Sequence, residues 1–171
     1  AFQLPEDKKI KELSRGMKMK FSLTIALSHD PKLLIMDEPT SGLDPIVRSE
    51  LLDILSELIQ DESKSVFFST HITSDLDKIA DYITFINDGE IILSAAKDDI
   101  LDNFGIVKGG SELMNDDNRK IFIGIHYNRF GFEGLVRDRA KARLMFQNQV
   151  IIEKPSLEDI MLYTVRGDRY A

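Results

Sequence analysis

Apolar and polar positions along this chain follow two alternating rhythms. Met19, Leu23, Ala26 and Leu27 recur at helical spacing, with Lys18, Lys20 and Ser22 on the other side. Ser14 is a natural N-cap for this helix, which runs to about His29, and Asp30-Pro31 stops it. Before it, Glu6 to Leu13 reads as a short surface helix with Ile10 and Leu13 on one side. Leu33-Leu34-Ile35-Met36 has no polar interruption, which predicts a central strand of a parallel sheet buried on both faces. Asp44 and Pro45 open the next helix as N-cap and first helical residue, and Val47, Leu51, Ile54, Leu55 and Leu58 form its buried stripe. Ser65-Val66-Phe67-Phe68 predicts a second buried strand. Ser74-Asp75-Leu76-Asp77 reads as a capping box, with Leu76, Ile79 and Ala80 turned inward. Tyr82 to Ile86, the turn Asn87-Asp88-Gly89, and Glu90 to Leu93 predict a β-hairpin.

Strands alternating with helices up to about Ala95 indicate an α/β fold. Beyond it the texture changes. Lys97 to Phe104 reads as a short helix, and Gly105, Gly109 and Gly110 loosen the chain. Ile121 to Tyr127 and Gln149 to Ile152 read as strands, and Ser156-Leu157-Glu158-Asp159 caps a last helix through Tyr163. The expected organisation is a helical piece over residues 1–30, an α/β part over 31–95 and a small α+β extension over 96–171.

Composition narrows the function. The 171 residues are 43% hydrophobic and 30% charged, enough for an ordinary core. The net charge of −7 argues against a nucleic-acid partner, which would require a basic face. The absence of cysteine excludes disulfides and thiolate metal sites. No apolar run approaches the roughly 18 residues of a membrane span.

The chemistry gathers where apolar runs end. Asp37 and Glu38 close the strand that begins at Leu33. Ligands of open α/β sheets lie beyond the carboxyl ends of the strands. An acid there can hold Mg²⁺, usually through water, and its neighbour can take a proton from an attacking water. A pair of charges capping a neighbouring helix is the plain alternative. Ser14-Arg15-Gly16 stands at a helix N-terminus, where free amides attract phosphate and a glycine lets it come close; an ordinary capped helix would look the same. His71 follows the second strand, at the same sheet edge as Glu38 if the two strands are parallel, and could orient a water or bond a terminal phosphate. Asp44 serves as a helix cap whatever else it does. Arg15, Lys18 and Lys20 read as a solvated helix face before a phosphate-attracting cluster, and His29 and His126 as structural.

Together these segments resemble the second half of an ATP-binding-cassette (ABC) nucleotide-binding domain. Leu13-Ser14-Arg15-Gly16-Met17 resembles the family signature, Leu33 to Glu38 its Walker B strand, Ser41 to Asp44 its D-loop and His71 its switch histidine, in the family's order and spacing over residues 13–95. Arg15 and Met17 stand where Gly and Gln are usual. Phe130-Gly131-Phe132-Glu133 and Pro155 to Met161 resemble the C-terminal extension of bacterial exporter-type (ABC-2-like) ATPase subunits. The resemblance implies a RecA-like P-loop NTPase core, with ATP and Mg²⁺ as ligands. It implies magnesium on Asp37, the hydrolytic water on Glu38 with His71 beside it, and Ser14, Arg15, Gly16 and Met17 reaching the ATP of a second cassette packed head to tail, with Asp44 near the seam. A separate membrane permease and a cytoplasmic position on the inner face of the membrane follow from the same resemblance.

The family's phosphate loop, Gly-x-x-x-x-Gly-Lys-Ser/Thr, is missing. The nearest match, Gly105 to Ser111, has Ser111 where lysine must be. The expectation is therefore a C-terminal portion of a longer ATPase, binding ATP weakly or not at all by itself. A soluble cassette ATPase outside transport and a non-catalytic regulatory fragment are the competing readings.

Overall fold

The computed structural model describes Leu4, Pro5 and residues 7–167. The chain divides after Ile79 into two compact units, and the expected boundary at 95/96 falls inside the second.

The first unit begins with a single 3-10 turn, Ile10–Glu12, where a longer surface helix was expected. Helix α1 (Arg15–Leu27) starts as the sequence predicts, the Ser14 hydroxyl accepting from Met17 N at 3.2 Å. Strand β1 (Leu33–Asp37), helix α2 (Pro45–Leu58), strand β2 (Ser65–Ser69) and helix α3 (Thr73–Ile79) follow. β1 and β2 pair in parallel, Leu33 opposite Ser65 and Asp37 opposite Ser69. Leu23, Leu34, Leu51, Leu52, Leu55 and Ile79 form the core, with Met36, Val66 and Phe68 against it. Fully burying a Leu or Ile side chain contributes roughly 1.5–3 kcal/mol, so this cluster holds the unit together.

Two expectations fail here. β1 is not buried on both faces: Leu34 points into the core, whereas Leu33 and Ile35 are 53% and 68% exposed, as is Phe67 of β2 at 66%. The helices of this chain cover one face of the two-stranded sheet, and the apolar positions of the other face stand open. The capping box at Ser74 is also absent. α3 starts earlier, at Thr73, so Ser74 and Asp75 lie inside the helix, and Asp75 is fully buried.

The second unit opens with the expected hairpin, β3 (Tyr82–Asn87) and β4 (Glu90–Ala96). Asn87 pairs with Glu90, and the two residues between them, Asp88 and Gly89, have φ of 49° and 81°. Positive φ at both central positions matches the right-handed twist of the strands, and Asp-Gly supplies it at low cost. Helix α4 (Lys97–Asn103) leads into β5 (Gly105–Gly109), then α5 (Asp116–Arg119), β6 (Phe122–Asn128), β7 (Gly131–Val136), α6 (Arg139–Phe146), β8 (Ile151–Glu153) and α7 (Leu157–Arg166). The order β6-β7-β5-β8 makes one four-stranded antiparallel sheet. Two of the three glycines expected to loosen the chain, Gly105 and Gly109, lie in its centre, since β5 is flanked by β7 and β8; Gly110 follows the strand. Val107, Ile125, Phe132, Val136, Ala142 and Phe146 form its core.

Candidate active site

The parallel pairing of β1 and β2 brings Asp37 and Ser69 level at the carboxyl end of the sheet. The Ser69 hydroxyl donates to Asp37 Oδ1 and accepts from Glu38 N at 3.2 Å; the same N–H lies 3.1 Å from the Ser69 carbonyl. Glu38 then turns the chain out of the strand with φ of 47°. A side chain in that left-handed region costs roughly 1–2 kcal/mol, and such strain tends to sit at functional sites. The consequence is local: Asp37 stays in the sheet plane while Glu38 swings toward the loop after β2. There His71 Nδ1 lies 2.8 Å from Glu38 Oε2. The imidazole is largely exposed and out of line for a hydrogen bond, so Oε2, closed off from solvent, makes none. Oε2 is thus held against the His71 ring at ion-pair distance.

Asp37, Glu38 and His71 are therefore brought together. The remaining predicted residues are held elsewhere in the first unit. Ser14 spends its hydroxyl on the cap of α1. Gly16 packs on α2, where an added Cβ would stand 3.0 Å from Val47 Cγ1, so its smallness already serves helix packing. The Arg15 guanidinium lies against Gly42, whose φ is 67°, and a side chain at that glycine would collide with it. Met17 is half-buried on α1. Asp44 Oδ1 accepts from Ile46 N at 3.1 Å and Val47 N at 3.0 Å, the expected cap. Among the described residues no hydrogen bond or ion pair joins Ser14, Arg15, Gly16, Met17 or Asp44 to the Asp37–Glu38–His71 group. Lys20 is paired with Glu50, in keeping with a solvated face.

The sequence reading missed a buried polar cluster beside the site. Thr40, 1% exposed, donates to Asp75 Oδ2 at 2.5 Å. Arg48 Nε donates to Asp75 Oδ1 at 2.7 Å, and its Nη2 lies 2.6 Å from the same oxygen while donating to Ser74 Oγ at 2.6 Å. Every oxygen of a fully buried carboxylate is thus satisfied. The signal available in the sequence was the Thr40–Arg48 and His71–Asp75 spacing around two loops, but the apparent capping box concealed it.

The donor set suits a hard cation in one way only. No group of three or more His, Cys, Asp or Glu residues that could hold a metal is found among the described residues. Asp37, with one carboxylate oxygen not engaged by Ser69, fits magnesium held by one or two carboxylates together with phosphate oxygens and water.

Comparison with known proteins decides the lineage. A family model described as "AAA domain, putative AbiEii toxin, Type IV TA system" matches residues 9–76. Over 93% of the chain, 31% of positions are identical to an uncharacterized ABC transporter ATP-binding protein of Synechocystis sp.. Lantibiotic transport ATP-binding protein SrtF of Streptococcus pyogenes is 45% identical over 52% of the chain. The chain is homologous to ABC transporter ATP-binding proteins. It spans less than half of the length of these relatives, 38% of SrtF and 47% of the Synechocystis protein. The fold agrees: an ABC transporter solved in an inward-facing conformation superposes with a TM-score of 0.51 over 75% of this chain and 49% of its own, at 20% identity. The α/β, RecA-like ABC ATPase architecture expected from the sequence is the architecture found. No helix among the described residues is long and apolar enough to cross a membrane.

Proposed function

We propose that this chain supplies the hydrolytic half of the ATP site in an ABC transporter ATP-binding subunit that drives export through a separate membrane permease. The observation that carries the reading is Glu38: a strained residue at the carboxyl end of a parallel strand, with a shielded, hydrogen-bond-free oxygen beside His71. The Glu38 carboxylate would accept a proton from the attacking water, and His71, whose Nδ1 lies 2.8 Å from it, would bond the terminal phosphate. Asp37 is the residue that would hold magnesium, and the ion would neutralise charge on the phosphate oxygens. Ser69 keeps Asp37 pointing along the sheet by its hydrogen bond. Phosphoryl transfer needs little more from a protein than such positioning and charge stabilisation.

Ser14, Arg15, Gly16 and Met17 are assigned to the phosphates of a second cassette packed head to tail, and Asp44 to the seam. Among the described residues they share no hydrogen bond or ion pair with the Asp37–Glu38–His71 group, as residues that serve a partner's nucleotide can do. Export is favoured by relatives named for lantibiotic and bacitracin transport. A place on the cytoplasmic face of the membrane follows from the same role, as does the absence of a nucleic-acid partner.

The test is Glu38→Gln in the complete protein. Turnover should fall by roughly 10²–10⁴-fold, the usual range for losing a general base, with nucleotide affinity unchanged. Turnover within a few-fold of the parent would show that Glu38 is not the base.

A further inference from the structure

We infer that Asp75 is a positioning residue that fixes Glu38 against His71, acting through Thr40 and held in place by Arg48. The inference rests on the reading of Glu38 and His71 as the hydrolytic pair. Glu38 leaves β1 in a left-handed conformation, and the chain beyond it folds back on itself, Ser41 N bonding the Glu38 carbonyl at 3.1 Å and Leu43 N the Thr40 carbonyl at 3.2 Å. Within that turn Thr40 reaches the His71 segment, because its hydroxyl bonds Asp75, which sits four residues beyond His71 on α3.

The two loops are thus tied twice. The outer tie, Glu38 to His71, is partly exposed and lacks a hydrogen bond. The inner tie, Thr40 to Asp75, is buried and complete. The loop at Asp75's own end is fixed too: Asp75 N bonds the Ile72 carbonyl at 3.0 Å, and Ile72 N bonds the Thr70 hydroxyl at 3.0 Å. A buried charge is a poor way to gain stability, since a packed apolar pair does as well or better. What a carboxylate gives that an apolar pair does not is direction. Arg48 Nε donates to Oδ1 with Nη2 close beside it, so Oδ2 is left aimed at Thr40.

The experiment compares Thr40→Val, Thr40→Ser and Asp75→Asn in the complete protein, with Leu55→Ala as a control that lowers stability without touching the tie. Thr40→Val and Asp75→Asn should each lower kcat roughly 10- to 100-fold, the scale of a misplaced reacting group, with KM for Mg-ATP within about two-fold. Thr40→Ser should restore kcat, and Thr40→Val should have no further effect in a Glu38→Gln background. The His71 ring nitrogen resonances should move in Thr40→Val and stay in place in Leu55→Ala. Unmoved His71 resonances in Thr40→Val, or losses that simply multiply with Glu38→Gln, overturn this inference alone. Unimpaired turnover in Glu38→Gln overturns the reading of the site beneath it. Thr40→Val removes one hydroxyl and conserves shape, so it decides the matter even where Asp75→Asn does not fold.

Discussion

The first unit buries Thr40 and Asp75, and the second, among the described residues, buries no polar or charged side chain to the same degree. Both units leave apolar side chains open to solvent, Leu33, Ile35 and Phe67 in the first and Tyr82, Ile86, Ile91 and Ile151 in the second, and both close others completely or nearly so, Leu23 and Leu55 in the first and Val107, Leu135, Val136 and Ala142 in the second. Burying a carboxylate is costly unless each oxygen is bonded, and exposing apolar strand positions forgoes stabilisation. Exposed apolar positions are common to both units; the buried carboxylate belongs to the first, at Asp75, while the second buries no charge among its described residues. The difference is therefore the polar cluster packed beside the Asp37–Glu38–His71 group.

The largest expected effect breaks the second unit. Phe132 meets Phe122 edge to face at a centroid distance of 5.6 Å, and Phe146 lies 6.1 and 6.3 Å from the two rings. Phe132→Ala should cost about 3–5 kcal/mol, the usual range for an aromatic removed from a packed core. Denaturant unfolding followed by hydrogen exchange in β5 and β7 reads it. A loss below about 1 kcal/mol would mean that the cluster does not hold the sheet, and the contrast with the first unit would fail.

A smaller effect sharpens the contrast, because each unit has a comparable helix cap. Asp44 accepts two backbone N–H groups at the start of α2. Ser156 caps α7, its hydroxyl accepting from Asp159 N at 3.1 Å while Asp159 accepts from Ser156 N at 2.9 Å. Alanine at either position should cost about 1 kcal/mol in thermal unfolding. Only Asp44→Ala should also slow ATP hydrolysis in the complete protein, since Asp44 alone is assigned to the seam with a second cassette. Equal turnover in both variants would reduce Asp44 to a cap.

What the sequence made legible follows the same division. The caps at Ser14, Asp44 and Ser156 and the Asp88-Gly89 turn depend on local rules, which act over a few residues, and the placement of Asp37, Glu38 and His71 at one sheet edge adds to these only the parallel pairing of two neighbouring strands. The misses depend on partners distant in sequence. β5 was hidden by Gly105 and Gly109, which read as loosening the chain, and β7, which carries Gly131 and Gly134, was not expected. In the sheet these glycines make room: a Cβ at Gly134 would stand 2.6 Å from the Phe122 ring, and one at Gly131, where φ is 145°, would run into the Gly109 carbonyl. Glycine inside a strand often marks such close approach. α6 buries only Ala142 and Phe146 among its eight residues, too few for a visible stripe. The role of Asp75 was hidden because Thr40 and Arg48 are 35 and 27 residues away.

The smallest expected effect separates the units by pH. Tyr163 on α7 donates to Glu133 Oε1 at 3.2 Å, and burial first, then the neighbouring Glu133 carboxylate, raises its phenol above the ordinary value of 10.0. The folded chain therefore keeps a proton that the unfolded chain has released, so the contribution is complete below about pH 10 and is lost as the pH rises toward the folded value. At neutral pH Tyr163→Phe should cost about 0.5 kcal/mol, the low end for a hydrogen bond at this length. Thermal unfolding between pH 8 and 11 should then fall less steeply for Tyr163→Phe than for the parent. Parallel curves would show that the alkaline loss belongs to other groups. A steeper fall in the variant would reverse the sign argued from Glu133.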